Sequence, residues 1–329
     1  MRVLVAGGAG FIGHTMCTRL LERGDEVTCV DNLVTGSAEN VKDLARHDGF
    51  SLIEADVSRE LPVQGRFDSV INLACPASPA DFETLALEIL DVGSRGVANL
   101  LEVARRNRAT FLQASTSEVY GEPLVHPQPE EYWGNVNPIG VRSVYDEAKR
   151  FGEALVMAHQ RWYGTEVRIA RIFNTYGPRM RPDDGRLISN FITQALRNEP
   201  ITIHGDGSQT RSLCYVDDEV SGLLALLDSD VTGPVNIGSS DERTVLEIAR
   251  VVLEQSDSDS EIVFVSPRPD DPTQRQPDLA LASRMLGWQP TISLPVGVAR
   301  TIEWFKSRAE RCDTVNPSRS RRVELAASR

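Results

Sequence analysis

Short apolar runs alternate along the first half of the chain with longer stretches whose apolar positions recur every three or four residues. The runs Arg2–Ala6, Glu26–Val30, Ser51–Glu54, Ser69–Leu73, Thr110–Ala114 and Glu166–Ile172 have the length and β-branched content of strands. Between them, Phe11–Arg23, Ala38–Arg46, Phe82–Arg106 and Val144–Tyr163 carry helical spacing. The stretch from Phe82 places Phe82, Leu85, Ala86, Ile89, Leu90, Val97, Leu100, Leu101 and Ala104 on a stripe wide enough to cover a sheet and meet a partner helix. Continuously apolar strands alternating with helices predict an α/β fold, a Rossmann-type doubly wound parallel sheet.

The alternation weakens after Asn174, where Gly177-Pro178, Gly185 and His204-Gly-Asp-Gly207 punctuate shorter elements. The expected organisation is a Rossmann-type domain over 1–173 with a return segment at 214–238, in which Asp217–Leu227 is a helix and Val235–Ile237 a strand of the main sheet. A smaller mixed α/β substrate domain takes 174–213 and 239–310, and a Ser/Arg-rich tail takes 311–329. The proline-rich segment Pro123–Pro138, which holds Tyr132 and Trp133, is expected to be an ordered loop over the active site.

Composition narrows the class. With 329 residues, 41% hydrophobic and 25% charged, the chain suits one large or two modest globular domains. Nothing approaches the roughly 18 unbroken apolar residues of a membrane span, and Met1-Arg-Val-Leu-Val-Ala begins a strand rather than a signal peptide. Five scattered cysteines lack metal-ligand spacing, so reduced thiols, no metal site and a cytoplasmic location are expected. A net charge of -12 argues against a nucleic-acid partner but leaves room for an anionic substrate in a pocket lined by arginines.

Two constellations carry chemistry. Gly7-Gly-Ala-Gly10-Phe-Ile-Gly13 follows the first strand and opens a helix, the context in which glycines bring backbone N–H groups against a pyrophosphate. Asp31, ending the second strand, suits a ribose diol and repels a 2′-phosphate, which favours NAD as the cofactor; Asp56-Val57, ending the third, is placed to meet the adenine. Further on, Tyr145 and Lys149 lie one turn apart on a helix face, downstream of Thr116-Ser117-Glu118. An ammonium beside a phenol favours the phenolate, and lowering a tyrosine from ~10 to near 7 takes about 4 kcal/mol, for a lysine and a positively charged nicotinamide ring to supply. A base of this kind takes the proton of a hydroxyl whose carbon yields a hydride to the cofactor.

The chain resembles the extended short-chain dehydrogenase/reductase superfamily, and within it the UDP-glucuronate decarboxylases (UDP-xylose synthases), from Met1 to about Lys306. The specific stretches are Asp31-Asn-Leu-Val-Thr-Gly36, Pro76-Ala-Ser-Pro79, Ala114 through Gly121, His126-Pro-Gln, Tyr132-Trp-Gly, Asn137-Pro-Ile-Gly140, Ala170 through Arg179, Gly207-Ser-Gln-Thr-Arg211 and Asp270 through Asp278. The resemblance implies Tyr145 as base, Lys149 as its partner and a holder of nicotinamide ribose, and Thr116 as the hydroxyl that steers the 4-hydroxyl proton. It places Gly7, Gly10, Phe11, Ile12, Gly13, Asp31, Asn32, Thr35 and Gly36 at NAD. Asp56, Val57, Leu73, Ala114 and Thr175 complete that set, with Tyr145 and Lys149. On the substrate it places Asn174, Arg186, the strip Ile188-Ser189-Asn190, His204 by the base, and Arg211 at the diphosphate. Glu118 and Arg275 are the pair it associates with decarboxylation. It also implies a homodimer through Phe82–Arg106 and Val144–Tyr163 packed as a four-helix bundle.

Oxidation at C4 of a glucuronate leaves a ketone β to the C5 carboxylate, so CO2 departs with its electrons flowing into the carbonyl. A cation such as Arg275 eases this loss, a proton must then reach C5, where Glu118 and water are expected to serve, and hydride returns to C4. Dehydratases of similar sequence carry an aspartic acid where this chain has Ser117, and a serine is too weak an acid for their reaction. A nucleotide-sugar 4-epimerase and a non-catalytic NAD-responsive binding protein stand as alternatives. Cys75, where serine is usual, reads as a packing residue. Asp91 stands where relatives carry a lysine, and an acid there would weaken glucuronate binding if it faced the substrate.

Overall fold

Val3 and Val5 of the first strand face one side of a sheet, Leu4 and Ala6 the other, and all four are fully buried. A strand covered on both faces needs helices above and below, and the chain supplies them in alternation. The computed structural model describes residues 1–268 and 270–315. Its main sheet has seven strands, in the order Pro234–Ile237, Val167–Ile172, Thr110–Thr116, Ser69–Asn72, Arg2–Ala6, Glu26–Asp31, Phe50–Glu54. Every pairing is parallel. The order reverses beside the first strand, and the crevice at such a reversal is where doubly wound sheets take their ligands. The strand Pro234–Ile237 and the helix Val216–Leu227 return to this sheet as expected.

Two boundaries differ in an informative way. The predicted helix Phe82–Arg106 begins at Ala86 and is interrupted by a π-helical turn at Val92–Gly96 before continuing as Val97–Asn107. A Cβ at Gly93 would lie 2.6 Å from that of Ala148, and one at Gly96 would lie 2.9 Å from a Val57 methyl. The turn is thus pressed between the helix Ser143–Tyr163 and the third strand's end, and Phe82 is released to pack beneath Tyr145. The last helix, Leu294–Val315, runs past Arg311, where the tail was expected to begin; 316–329 lie outside the described residues.

The second half builds three small two-stranded sheets: Thr175–Tyr176 with Cys214–Tyr215, Thr210–Ser212 with Glu242–Thr244, and Ile201–His204 with Ile262–Val265. Helices Leu187–Leu196, Val245–Ser256 and Leu294–Val315 pack together beside them. One apolar core runs from Val3, Val5 and Met16 to Phe191, Ile248 and Ile302, so the substrate-side elements are fused to one face of the main sheet. The cleft opens between these two parts.

Candidate active site

The cleft has a volume of about 530 Å³ and is walled on one side by the glycine turn and on the other by the second half of the chain. Gly7 holds the turn with a φ of +80°, and a Cβ there would lie 2.7 Å from the backbone of Ala74. Gly10 is the N-cap of the helix Phe11–Glu22 and offers no side-chain cap, so the first N–H groups of that helix stay free at the cleft. These are the features a dinucleotide pyrophosphate requires, and the residues fit the expected cofactor. Phe11, Ile12, Gly13, Thr35, Gly36, Leu73, Ala114 and Thr175 line the same wall.

Other expected cofactor residues sit behind it. Asp31 is buried, and its carboxylate accepts from the N–H of Ala9 and of Leu33, both at 2.9 Å, bracing the turn rather than lining the cleft. Burial raises its pKa against those two bonds. Asn32 accepts from the N–H of Val34, and Asp56 accepts from the N–H and hydroxyl of Ser58. Val57 is a core residue against Gly96. None of these three lines the cleft.

Tyr145, Lys149 and Thr116 converge at its floor. Lys149 donates to the carbonyl of Ala114 at 2.8 Å, which leaves its ammonium 5.6 Å from the centre of the Tyr145 ring. Phe82 stacks on the other face of that ring, centroids 5.1 Å apart and planes 17° from parallel. Burial raises the phenol pKa, and Cys75 and Glu118 add to this, against the neighbouring Thr116 hydroxyl and the charge of Arg186. The lowering expected from Lys149 is therefore not found within the protein itself, because a desolvated phenol resists ionisation. Cys75 packs against this aromatic cluster and burial pushes its thiol up, in keeping with a packing role.

Beyond the phenol, Glu118 meets arginines. Its carboxylate lies 2.7 Å from Arg142 Nη2 and 3.6 Å from Arg275 Nη1. Burial opposes its ionisation, but the charges of Arg275 and Arg142, with the Arg142 hydrogen bond, more than offset this and hold it at about 2. Arg275 is 1% exposed and donates to the carbonyl of Gly121 at 2.8 Å, while its Nε and Nη1 have no hydrogen-bond partner. A buried guanidinium with unused donors is costly unless a ligand completes it. Ser117, fully buried, lines the cleft beside Glu118.

The substrate-side residues mostly gather as expected. Asn174, Ile188, Asn190, His204 and Arg211 line the cleft, Arg211 paired with Asp271 at 2.9 Å. Asn190 is held by the carbonyl of Gly185 and His204 by that of Ser266. Ser189 does not line it; its buried hydroxyl donates back to the carbonyl of Arg186. Arg186 also lines the cleft, paired with Asp184 and lying over the Phe11 ring at 5.7 Å.

Asp91 points away: its side chain is 43% exposed, pairs with Arg95 at 3.5 Å and takes no part in the cleft. The segment Pro123–Pro138 is ordered but does not line the cleft either. It braces the loop of Arg275: the N–H of Gln128 donates to the carbonyl of Gln276 at 2.9 Å and the N–H of Gln276 donates to Gln128 Oε1 at 3.0 Å, while from the strand Thr210–Ser212 the N–H of Ser212 donates to the carbonyl of Arg275. Sequence reading missed Gln128, Arg142, Asp146, Asp271 and Phe82 as parts of the site. Only Arg142 carried a local signal, a cation just ahead of a helix where an acid or a small polar residue is preferred. Among the described residues, no cluster of His, Cys, Asp and Glu suits a metal ion, and no helix is long and apolar enough to cross a membrane.

A model of the NAD dependent epimerase/dehydratase family matches residues 3–238. UDP-glucuronic acid decarboxylase 5 of Arabidopsis thaliana is 50% identical over 309 residues, 94% of this chain and 90% of its own. The solved UDP-glucose 4-epimerase of Thermotoga maritima with UDP-glucose superposes with a TM-score of 0.87 at 31% identity, covering 94% of this chain and 100% of that one. The UDP-glucuronic acid 4-epimerase of Bacillus cereus, in complex with UDP-glucuronic acid and NAD, gives 0.84 at 28% identity, covering 93% and 99%.

Proposed function

Because the chain belongs to the NAD dependent epimerase/dehydratase family, and within it to the UDP-glucuronic acid decarboxylases, we propose the following course for its reaction. The enzyme converts UDP-glucuronate to UDP-xylose and CO2, with no net change in the redox state of its cofactor. The observation that carries the decarboxylase reading over a plain epimerase is Arg275, buried beside Glu118 with two donors unused.

NAD bound at the glycine turn supplies a hydride acceptor at C4 and later the donor. Tyr145, reached through the Thr116 hydroxyl, takes the proton of the 4-hydroxyl, and Lys149, anchored to the Ala114 carbonyl, fixes the ammonium below the ring. The 4-ketone is β to the carboxylate, so the C5–carboxyl bond breaks with its electron pair passing into the carbonyl as an enolate. Arg275 offers its charge and free donors to the departing carboxylate and the oxyanion. A proton must then return to C5 before C4 is reduced. Glu118, held at about 2, is ionised at neutral pH and has no proton of its own to give, so its part is to orient water and the arginines.

The helices behind the site support the expected homodimer: Leu87, Phe151 and Trp162 stand 75%, 51% and 83% exposed on them. Sedimentation at graded concentrations tests that assembly. The activity is tested by giving folded, NAD-loaded enzyme UDP-glucuronate and weighing the product. Loss of CO2 with no lasting NADH is the expected result, and a product of unchanged mass would establish the epimerase instead.

A further inference from the structure

An arginine at position 142 breaks a local rule. It is the N-cap of the helix Ser143–Tyr163, makes no side-chain cap, and sets a cation at the positive end of the helix dipole. Violations of local preference that persist without local compensation gather at functional sites. The side chain is also strongly constrained. It is half-buried, lines the cleft, lies over the Phe82 ring at 5.7 Å, and reaches Glu118 at 2.7 Å and Asp271 at 3.9 Å. Phe82 in turn stacks on the phenol of Tyr145, so the guanidinium is fixed relative to the reacting hydroxyl through a single ring.

Its ion pairs are shared ones. Arg142 and Arg275 share the carboxylate of Glu118, while Asp271 pairs with Arg211 at 2.9 Å and more distantly with Arg142. Asp146, the other buried acid in this field, is left with an unpartnered Oδ1. Three guanidiniums, Arg142, Arg275 and Arg211, thus gather at the cleft around the carboxylates of Glu118 and Asp271, with two Arg275 donors unused. The missing member is an anion with two oxygens.

We propose that Arg142 is a substrate-binding residue that receives, with Arg275, the C5 carboxylate of the sugar, Glu118 serving as the fixed counter-charge that keeps the two guanidiniums apart and aimed. This rests on the decarboxylase reading and adds to it the residue that tells a uronate from a neutral hexose. Arg142 then acts on recognition of the carboxylate, and the nucleotide half of the substrate is indifferent to it.

The test compares ligands that differ only at that carboxylate. NAD-loaded wild type, Arg142→Met and Arg142→Lys are titrated with UDP-glucuronate, UDP-glucose and UDP by calorimetry. Removing one partner of a desolvated charge pair should weaken UDP-glucuronate in Arg142→Met by on the order of 30-fold. UDP-glucose and UDP should change less than about threefold, and Arg142→Lys, which keeps the charge but not the fork, should fall between. Equal losses for all three ligands would mark Arg142 as a structural residue and overturn the proposal, as would an unchanged preference for UDP-glucuronate. If Arg142→Met fails to fold, Arg142→Lys decides alone, since a selective loss for the uronate supports the proposal and a uniform loss or none overturns it. A wild type that holds UDP but neither binds nor decarboxylates UDP-glucuronate would remove the decarboxylase reading itself, whereas an active wild type with an indifferent Arg142 removes only this inference.

Discussion

Gln128 and Gln276 hold each other by two hydrogen bonds, from the N–H of Gln128 to the carbonyl of Gln276 at 2.9 Å and from the N–H of Gln276 to Gln128 Oε1 at 3.0 Å. Gln128 is fully buried, and its amide nitrogen also donates to the carbonyl of Val125 at 3.0 Å. This clamp sits one residue from Arg275, so the proline-rich segment acts on the site from behind.

Cutting Gln128 to alanine empties a fully buried site and leaves the part-buried N–H of Gln276 and carbonyl of Val125 without their partners, losses worth about 1–3 kcal/mol each. The Gln128→Ala protein should lose about 2–4 kcal/mol in urea unfolding and fall in decarboxylation rate, while NAD binding, which depends on the far wall of the cleft, stays within about twofold. A parallel loss of NAD affinity would contradict the placement.

Tyr145→Phe keeps the ring that stacks on Phe82 and removes only the hydroxyl that meets Thr116. Stability and NAD affinity should stay close to wild type, with turnover down by at least about 10²–10⁴, the usual worth of general acid–base catalysis. Residual single-turnover reduction of the bound cofactor at wild-type rate would exclude Tyr145 as the base.

Glu118 is held at about 2, below the ordinary 4.5 of a glutamate, chiefly by Arg275 and Arg142 working against burial. A depressed carboxylate contributes stability that is present above the unfolded pKa and lost as pH falls through the folded one. Glu118→Gln should therefore be less stable at neutral pH by about 3 kcal/mol, its side chain being largely buried, with the gap closing between about pH 4.5 and pH 2. Thermal unfolding of the two proteins across that range reads the difference directly.

Asp146 shows the opposite shift, up to about 7 from the usual 3.8, because burial and then the charge of Glu118 outweigh Arg142 and Arg275. A raised aspartate costs stability progressively as pH climbs from its unfolded to its folded pKa. Asp146→Asn should match wild type below about pH 4 and exceed it by up to about 4 kcal/mol above about pH 7. A stability difference that does not vary with pH would mean that folding leaves the pKa of Asp146 where it stands in the unfolded chain.

Much of this protein is legible in the chain itself. The first strand begins and ends at Arg2 and Ala6 as its apolar run predicts, and the helix behind the glycine turn begins at Phe11. The pairing of Tyr145 with Lys149 follows from helical geometry alone. Each of these depends on residues within a turn or two of one another, and steric and periodic rules act at that range. What the tertiary fold decided lies elsewhere. Asp91 faces solvent beside Arg95 because of how one π-helical turn packs, and Pro123–Pro138 braces the site instead of covering it. Arg142, Arg275 and Glu118 meet only because the strand Thr110–Thr116, the start of a helix and a late loop end at the same crevice. The protonation of Asp146 and Glu118 is set by the charges and the lack of water around them, and those are properties of the assembled interior that no local stretch of sequence contains.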